Sequence, residues 1–278
     1  MLTNEIIKKI QDFIYQKPRS IQEVAQHINK NWRTADRYVQ EIEKEYGTLS
    51  TRVFREGTRG ALKIIYWASM EKASSSIFQE KLEKEIKLFK KKENFSAFDI
   101  YQHVEDKNKE ASIQQSEQEA KTDLDELKEM IEKTEKQLFS FSGNLSWINL
   151  KNKKINIFQE IEKLVKKKIK IKMICRVDLV SMPTIEKILS LNFKYGKELI
   201  EIHHYEHPLR ALVIDNKLIR LKEIKNPTGK TKELSKKTFL FYTIKSKNWV
   251  EWLTRIFWNM FSNSIDSKKR LEELKKLR

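Results

Sequence analysis

Residues 20–67 read SIQEVAQHINKNWRTADRYVQEIEKEYGTLSTRVFREGTRGALKIIYW, and this stretch decides how the chain is read. Ser20 opens a short helix running to Ile28, with Ile21, Val24, Ala25 and Ile28 on one face at helical spacing. Asn29, Lys30 and Asn31 form a linker, and a second helix spans Trp32 to about Glu45, closed by Tyr46 and Gly47. Two β-like runs follow, Leu49 to Phe54 and Ala61 to Trp67, joined by a turn from Arg55 to Gly60. Helix, turn, helix and a basic-tipped hairpin in that order specify a winged helix-turn-helix.

The second helix carries the chemistry. Ala35, Val39 and Ile42 share one side, and small Ala35 lets two helices cross closely. Arg33, Thr34, Arg37 and Glu41 fall on the other side, with Lys30 just upstream. Recognition helices read base edges with their N-terminal residues, which singles out Arg33, Thr34 and Arg37. An Arg donates bidentately to guanine O6 and N7, worth roughly 1–3 kcal/mol of discrimination. Lys30 suits a phosphate, and Arg52, Arg55 and Arg59 flank a Gly-containing wing tip suited to backbone or minor-groove contact. Trp32 and Tyr38 suit either packing or contact. The bland alternative is a protein-binding winged helix whose arginines are ordinary surface charges.

Composition sets the frame. The 278 residues carry 56 Lys and Arg against 39 Asp and Glu, a net charge of +17. Such a balance draws phosphate polyanions and anionic lipid alike, so charge supports double-stranded DNA as partner without selecting it. No uninterrupted apolar stretch is long enough to span a bilayer, and the first residues, MLTNEIIKKIQDF, do not read as a signal peptide. A single cysteine, Cys175, in an apolar run, reads as a buried thiol in a reducing compartment. The expectation is a cytoplasmic, nucleoid-associated protein with no membrane contact.

Four segments follow. Residues 1–68 hold the DNA-binding domain, opened by a helix over Asn4 to Tyr15 that Pro18 stops. Residues 69–138 form a helical connector without Gly or Pro; its polar middle, Glu105 to Glu119, reads as a loop or frayed helix. From Ala120, the series Leu124, Leu127, Ile131, Thr134 and Leu138 makes a short heptad seam. It suits packing on a neighbouring domain or, slightly favoured, a coiled-coil homodimer reading a two-fold operator. Residues 139–266 alternate strand-like and helix-like runs, with Trp147 and Ile148 read as strand, implying a mixed α/β layer. Residues 267–278 form a charged, solvated tail.

Catalytic chemistry is thin. His203, His204 and His207 crowd one region, but no further ligand stands at a metal-binding spacing, so no metal or cofactor is expected. Residues 206–217, EHPLRALVIDNK, resemble the phospholipase D superfamily motif His-x-Lys-x4-Asp, with Arg210 for the Lys and Asp215 for the Asp. Pro208 stands at the nucleophile position, His207 is one residue out of register, and there is no second copy. The resemblance implies the fold and argues against the activity; Arg210 and Asp215 read as a pair left over from it.

Joined to the winged helix, this pattern resembles the archaeal TrmB-like transcription regulators. The run FSGNLSW at residues 141–147 and a closing helix through Phe257 and Trp258 fit as well. The resemblance implies a multidomain α/β chain: winged helix, helical connector and non-catalytic phospholipase-D-like sensor domain. It also implies a small-molecule effector, for which no residue is indicated. The expected function is a sequence-specific, non-enzymatic, dimeric DNA-binding regulator. A chromatin-coating or nucleic-acid-assembly protein is the first rival, and a phosphodiesterase or nuclease the second.

Overall fold

A computed structural model describes residues 2–55, 61–68, 75–116, 124–227 and 236–276. Helix α1 (Asn4–Gln16) buries Ile7, Ile10 and Ile14. Pro18 ends it, and the chain runs into β1 (Arg19–Ser20) and α2 (Ile21–His27). The Ser20 hydroxyl accepts from the Glu23 backbone N–H, and the Glu23 carboxylate accepts from that of Ser20, which closes a capping box. Helix α3 (Trp32–Tyr46) is capped by Asn31, whose side chain accepts from the Thr34 N–H, and stops at Gly47 with φ +63°. Strands β2 (Leu49–Arg55) and β3 (Ala61–Trp67) pair antiparallel to form the wing. Strand β1 adds to the β3 edge, a third strand too short to leave a sequence pattern. Residues 56–60 of the wing turn, Arg59 among them, lie outside the described residues.

Among the described residues the rest is built on one eight-stranded mixed sheet, its strands in the order Ile265–Asp266, Ile200–His204, Lys170–Cys175, Gln137–Phe141, Ala211–Ile214, Leu218–Lys225, Lys237–Ile244 and Lys109–Ser116. Strands β5 (Gln137–Phe141), β6 (Lys170–Cys175) and β7 (Ile200–His204) run parallel. Strands β8 (Ala211–Ile214), β9 (Leu218–Lys225), β10 (Lys237–Ile244) and β4 (Lys109–Ser116) continue antiparallel, and β11 (Ile265–Asp266) pairs with β7. Both faces are covered. On one lie α5 (Ala97–Gln102) and α9 (Lys247–Ser262), the latter burying Trp249, Trp252, Phe257 and Phe261. On the other lie α6 (Leu124–Glu132), α7 (Ile157–Lys166), α8 (Met182–Tyr195) and α10 (Ser267–Lys275). An α4 helix (Ser75–Leu88) precedes α5 and inserts Leu82 and Ile86 into the first layer.

Several expectations change. The connector is not a helical spacer: its polar middle becomes the edge strand β4, zipped along the whole of β10 from Lys109 opposite Ile244 to Ser116 opposite Lys237. An edge strand is held by backbone hydrogen bonds, so Ile113 suffices as its apolar anchor. The heptad seam is split. Leu124, Leu127 and Ile131 pack into this chain's own core, Thr134 turns back to the Met130 carbonyl, and Leu138 lies in β5. That geometry corrects the coiled-coil reading; Ala120 lies outside the described residues. Trp147 and Ile148 sit in a 3-10 turn, Ser146–Asn149. The charged tail is the helix α10, capped by Asp266 and anchored by Leu271 and Leu274. No described helix is long and apolar enough to cross a membrane.

The wing does not stand free. Phe54, Leu62 and Ile64 are buried in the same cluster as Phe98, Leu240 and Tyr242. The Phe54 ring lies 6.1 Å from Phe98 and from Tyr242, and Tyr66 lies 5.2 Å from Phe98. One face of β2 and β3 covers the winged helix's own core, through Leu49 and Ile65. The other face packs on the α/β domain.

Candidate nucleic-acid interface

Side chains on α3 divide as helical periodicity requires. Ala35, Tyr38, Val39 and Ile42 are buried, which settles Tyr38 as core, and Trp32 packs beside them. Lys30, Arg33 and Arg37 are exposed, and Thr34 is half-buried, its N–H held by the Asn31 cap. Aromatic faces shape the two arginines: the Arg33 guanidinium lies 5.7 Å from the Trp32 ring centroid, and that of Arg37 5.4 Å from Tyr38. Such contacts orient a guanidinium without satisfying its donors.

Asp36 separates these cations and is tied down. Its carboxylate meets Lys63 of β3 at 2.6 Å and accepts from the Gln40 side chain at 2.9 Å. The pair fixes the helix against the wing, and sequence reasoning missed it. Lys63 is the lone charge in the apolar run of β3, which was the available signal.

The wing arginines part company. Arg55 is exposed at the end of β2. Arg52 points to the domain contact, where its guanidinium lies 3.6 Å from Asp106 and 5.1 Å from the Tyr101 ring centroid.

The histidines go three ways. His203 Nδ1 lies 3.0 Å from the Phe261 carbonyl and 2.9 Å from the Ser264 hydroxyl. His204 Nδ1 accepts from the Val177 N–H at 2.8 Å. His207 is buried with Nε2 3.2 Å from the Ile174 carbonyl; burial pulls its pKa down to about 4, Arg210 adding to the effect against backbone contacts that raise it. Asp215 does not pair with Arg210. They stand beyond opposite ends of β8, and the Asp215 carboxylate accepts the backbone N–H groups of Glu135, Lys136 and Gln137 at 2.8–3.0 Å. It is a loop clamp.

A second concave surface opens where β5, β6 and β7 end. This cleft of about 580 Å³ is lined by Phe141 to Asn144, Arg176, Tyr205 to His207 and Arg210, with Lys222 and Phe241 from the antiparallel half.

The fold thus joins a winged helix-turn-helix to a mixed α/β domain. No family model matches the sequence, and no curated protein matches it. Among solved structures it is similar to TrmBL2, an archaeal chromatin protein described as showing a novel mode of DNA binding. The two are 14% identical over 95% of this chain and 94% of that one, with a TM-score of 0.40. Nuc of Salmonella typhimurium, a phospholipase D family member, is 11% identical over 56% of this chain and 98% of its own, TM-score 0.37. NucT from Helicobacter pylori is 11% identical over 57% and 99%, TM-score 0.37.

Proposed function

We propose that this protein binds double-stranded DNA through α3, reads sequence there, and performs no catalysis. The observation that carries the reading is the division of the winged helix into a covered face and an open one. The wing packs against the α/β domain, while the first turns of α3 present Lys30, Arg33 and Arg37 outward. Arg33, Thr34 and Arg37 are assigned to base edges; Lys30 and Arg55 are assigned to phosphates. Arg52 is left out because it serves the domain contact. Arg59 keeps the backbone or minor-groove role proposed from the sequence. Absence of catalysis rests on Pro208 standing where a nucleophile is needed and on His207 being walled in by the Ile174 carbonyl and the Phe141 ring.

Reading a two-fold operator calls for a second copy of the chain. The seam through Leu124 and Ile131 is already buried, so such pairing uses another surface. Sequence-independent coating of DNA is the second reading, favoured by a net charge of +17 spread along the chain.

One assay separates them. In a mobility-shift titration against a binding site selected from random duplexes and a scrambled duplex, Arg33→Ala with Arg37→Ala loses the preference between the two. Preference retained by the double variant overturns the assignment. A wild-type protein with no preference at any salt concentration supports coating.

A further inference from the structure

We infer that the lysines at the amino ends of β5 and β6 form a second surface for double-stranded DNA, so that one chain holds two duplex segments. Bridging rests on the reading of α3 given above; the lysine surface does not.

Three observations converge. The first is position. Strands β5 and β6 run parallel with Gln137 opposite Lys170, and the Lys170 N–H donates to the Lys136 carbonyl at 3.4 Å. Lys168 stands two residues before Lys170, just past the end of α7. Neighbouring strands lie about 4.8 Å apart, so the three lysines share one end of the sheet, the end away from the cleft. The winged helix docks elsewhere. Phe54 and Leu62 join the layer of α5 and β10, while α7 packs in the layer of α6 and α8. Strands β8 and β9 separate β5 from β10.

The second is charge. Lys136, Lys168 and Lys170 are exposed, and none has an ion-pair partner among the described residues. The acids nearby are committed to other groups. Glu132 meets Lys163 at 3.4 Å and Lys128 at 3.7 Å, and Glu135 meets Lys217 at 3.6 Å. The Asp215 carboxylate accepts three backbone N–H groups, that of Lys136 at 2.8 Å, which fixes the loop bearing Lys136. Unpaired cations on a fixed backbone neutralise phosphates and release their counterions. Duplex DNA is favoured over an anionic bilayer because α3 already presents cations suited to DNA.

The third is backbone conformation. Helix α8 closes on Gly196, φ +61°, with the Lys197 N–H on the Asn192 carbonyl. Helix α7 closes the same way, the Ile169 N–H on the Leu164 carbonyl and the Lys168 N–H on the Val165 carbonyl, both at 3.0 Å. Its left-handed residue is Lys168, φ +63°, where glycine would avoid the steric cost. A helix C-terminus attracts cations, which accounts for Lys168 in part. It does not account for Lys136 and Lys170, which stand at strand starts. Contact with a polyanion accounts for all three.

The test uses the full chain with two scrambled duplexes, one immobilised on beads and one fluorescent in solution. Wild type is expected to capture the second duplex on the first. Lys136→Gln with Lys168→Gly and Lys170→Gln, checked for a wild-type circular dichroism spectrum, is expected to reduce capture at least fivefold. The same variant should keep its preference for the selected site in the mobility-shift titration. Arg33→Ala with Arg37→Ala should still shift a duplex, and adding the three lysine substitutions should weaken that shift at least tenfold. Lys168→Gly alone should raise the melting temperature; a fall would assign Lys168 to helix capping and overturn its place here. No capture by wild type overturns the inference, as does undiminished capture by the lysine variant, which places bridging in a second copy's α3. Lost binding of phosphatidylserine vesicles with capture unchanged assigns the surface to lipid and also overturns it. Site preference retained by Arg33→Ala with Arg37→Ala counts against α3 alone; capture lost in the lysine variant still supports the second surface.

Discussion

The Lys225 ammonium at the end of β9 lies 3.1 Å from the Glu23 carboxylate, a residue 202 positions earlier in the first helix of the helix-turn-helix. Lys225 also meets Glu223 at 3.2 Å, and Glu223 accepts from the Ser96 hydroxyl at 3.0 Å. Glu23 is simultaneously the capping-box residue of α2. One carboxylate therefore fixes the start of that helix and pins it to the α/β domain.

Removing the cation leaves two acids in a largely buried contact. Breaking such a pair from one side costs about 3 kcal/mol, more than any exposed pair returns. Lys225→Met is expected to lower the denaturant midpoint clearly, and Glu23→Gln, which keeps a hydrogen-bonding side chain, to do so less. Burial pushes the Glu23 carboxyl up, but Lys225 and the Ser20 hydrogen bonds outweigh it and leave the pKa below its ordinary 4.5. Burial likewise lowers Lys225, and Glu223 and Glu23 outweigh it, leaving the pKa above 10.5. The contribution is full between those ordinary values. It is lost as pH falls through the lowered Glu23 pKa or rises through the raised Lys225 pKa. Unfolding titrations of wild type and Lys225→Met should converge at both extremes; a constant gap across pH would contradict the linkage.

Asp99 works in the opposite sense. Burial raises its pKa well above 3.8, and Glu85 and Glu223 push the same way against Lys81 and Lys225. The folded state holds the proton more tightly than the unfolded one, so this site costs stability as pH rises above the unfolded value. Asp99→Asn keeps a side-chain oxygen for Gln102, which now bonds Asp99 at 3.0 Å. The variant is expected to melt higher than wild type at neutral pH, with the difference vanishing near pH 3.8. An unchanged melting temperature at neutral pH would refute it.

How much of this was legible in the sequence depends on the range of the interaction. Helices α2 and α3 were readable because Val24, Ala25, Val39 and Ile42 recur at helical spacing and Asn31 and Gly47 punctuate the ends. Strand β4 was not, because Lys109 to Ser116 is held by its partner's backbone rather than by an alternating apolar face. The tail reads as solvated chain in the sequence because Leu271 and Leu274 are the apolar residues that α10 buries among the described residues, the rest of its anchoring coming from buried Ser267 and from ion pairs such as Lys275 with Glu186. Docking of the wing had a signal that was passed over. In β3, Leu62 and Ile64 face one way and Ile65 the other, and a strand apolar on both faces is covered on both. The cations of the cleft come from loops and strands far apart in sequence and converge only when the sheet is assembled.

Cys175 gives a chemical check on that sheet. It is completely buried in β6, and burial together with nearby Asp178 pushes the thiol pKa up to about 12. Thiolate is the reactive form, so at pH 8 the native protein should resist iodoacetamide over hours while the chain in guanidinium labels fully. Rapid labelling of the native protein would mean that β6 opens readily between β5 and β7.

Arg52 and Arg55 share a strand and face different surroundings, so their alanine variants should separate. Arg55 is exposed and assigned to phosphate. Arg55→Ala should weaken DNA binding about equally for specific and scrambled duplexes and reduce the magnitude of the salt slope by about 0.9. Arg52 meets Asp106 at 3.6 Å and lies over Tyr101 and Phe54. Arg52→Ala should leave the salt slope unchanged and instead lower the melting temperature, since an Arg stem on aromatic rings contributes packing as well as charge. A reduced slope for Arg52→Ala would mean that the wing leaves the α/β domain when DNA binds, freeing Arg52 for a phosphate. The two slopes, measured side by side, therefore report whether the docked wing is the DNA-bound wing.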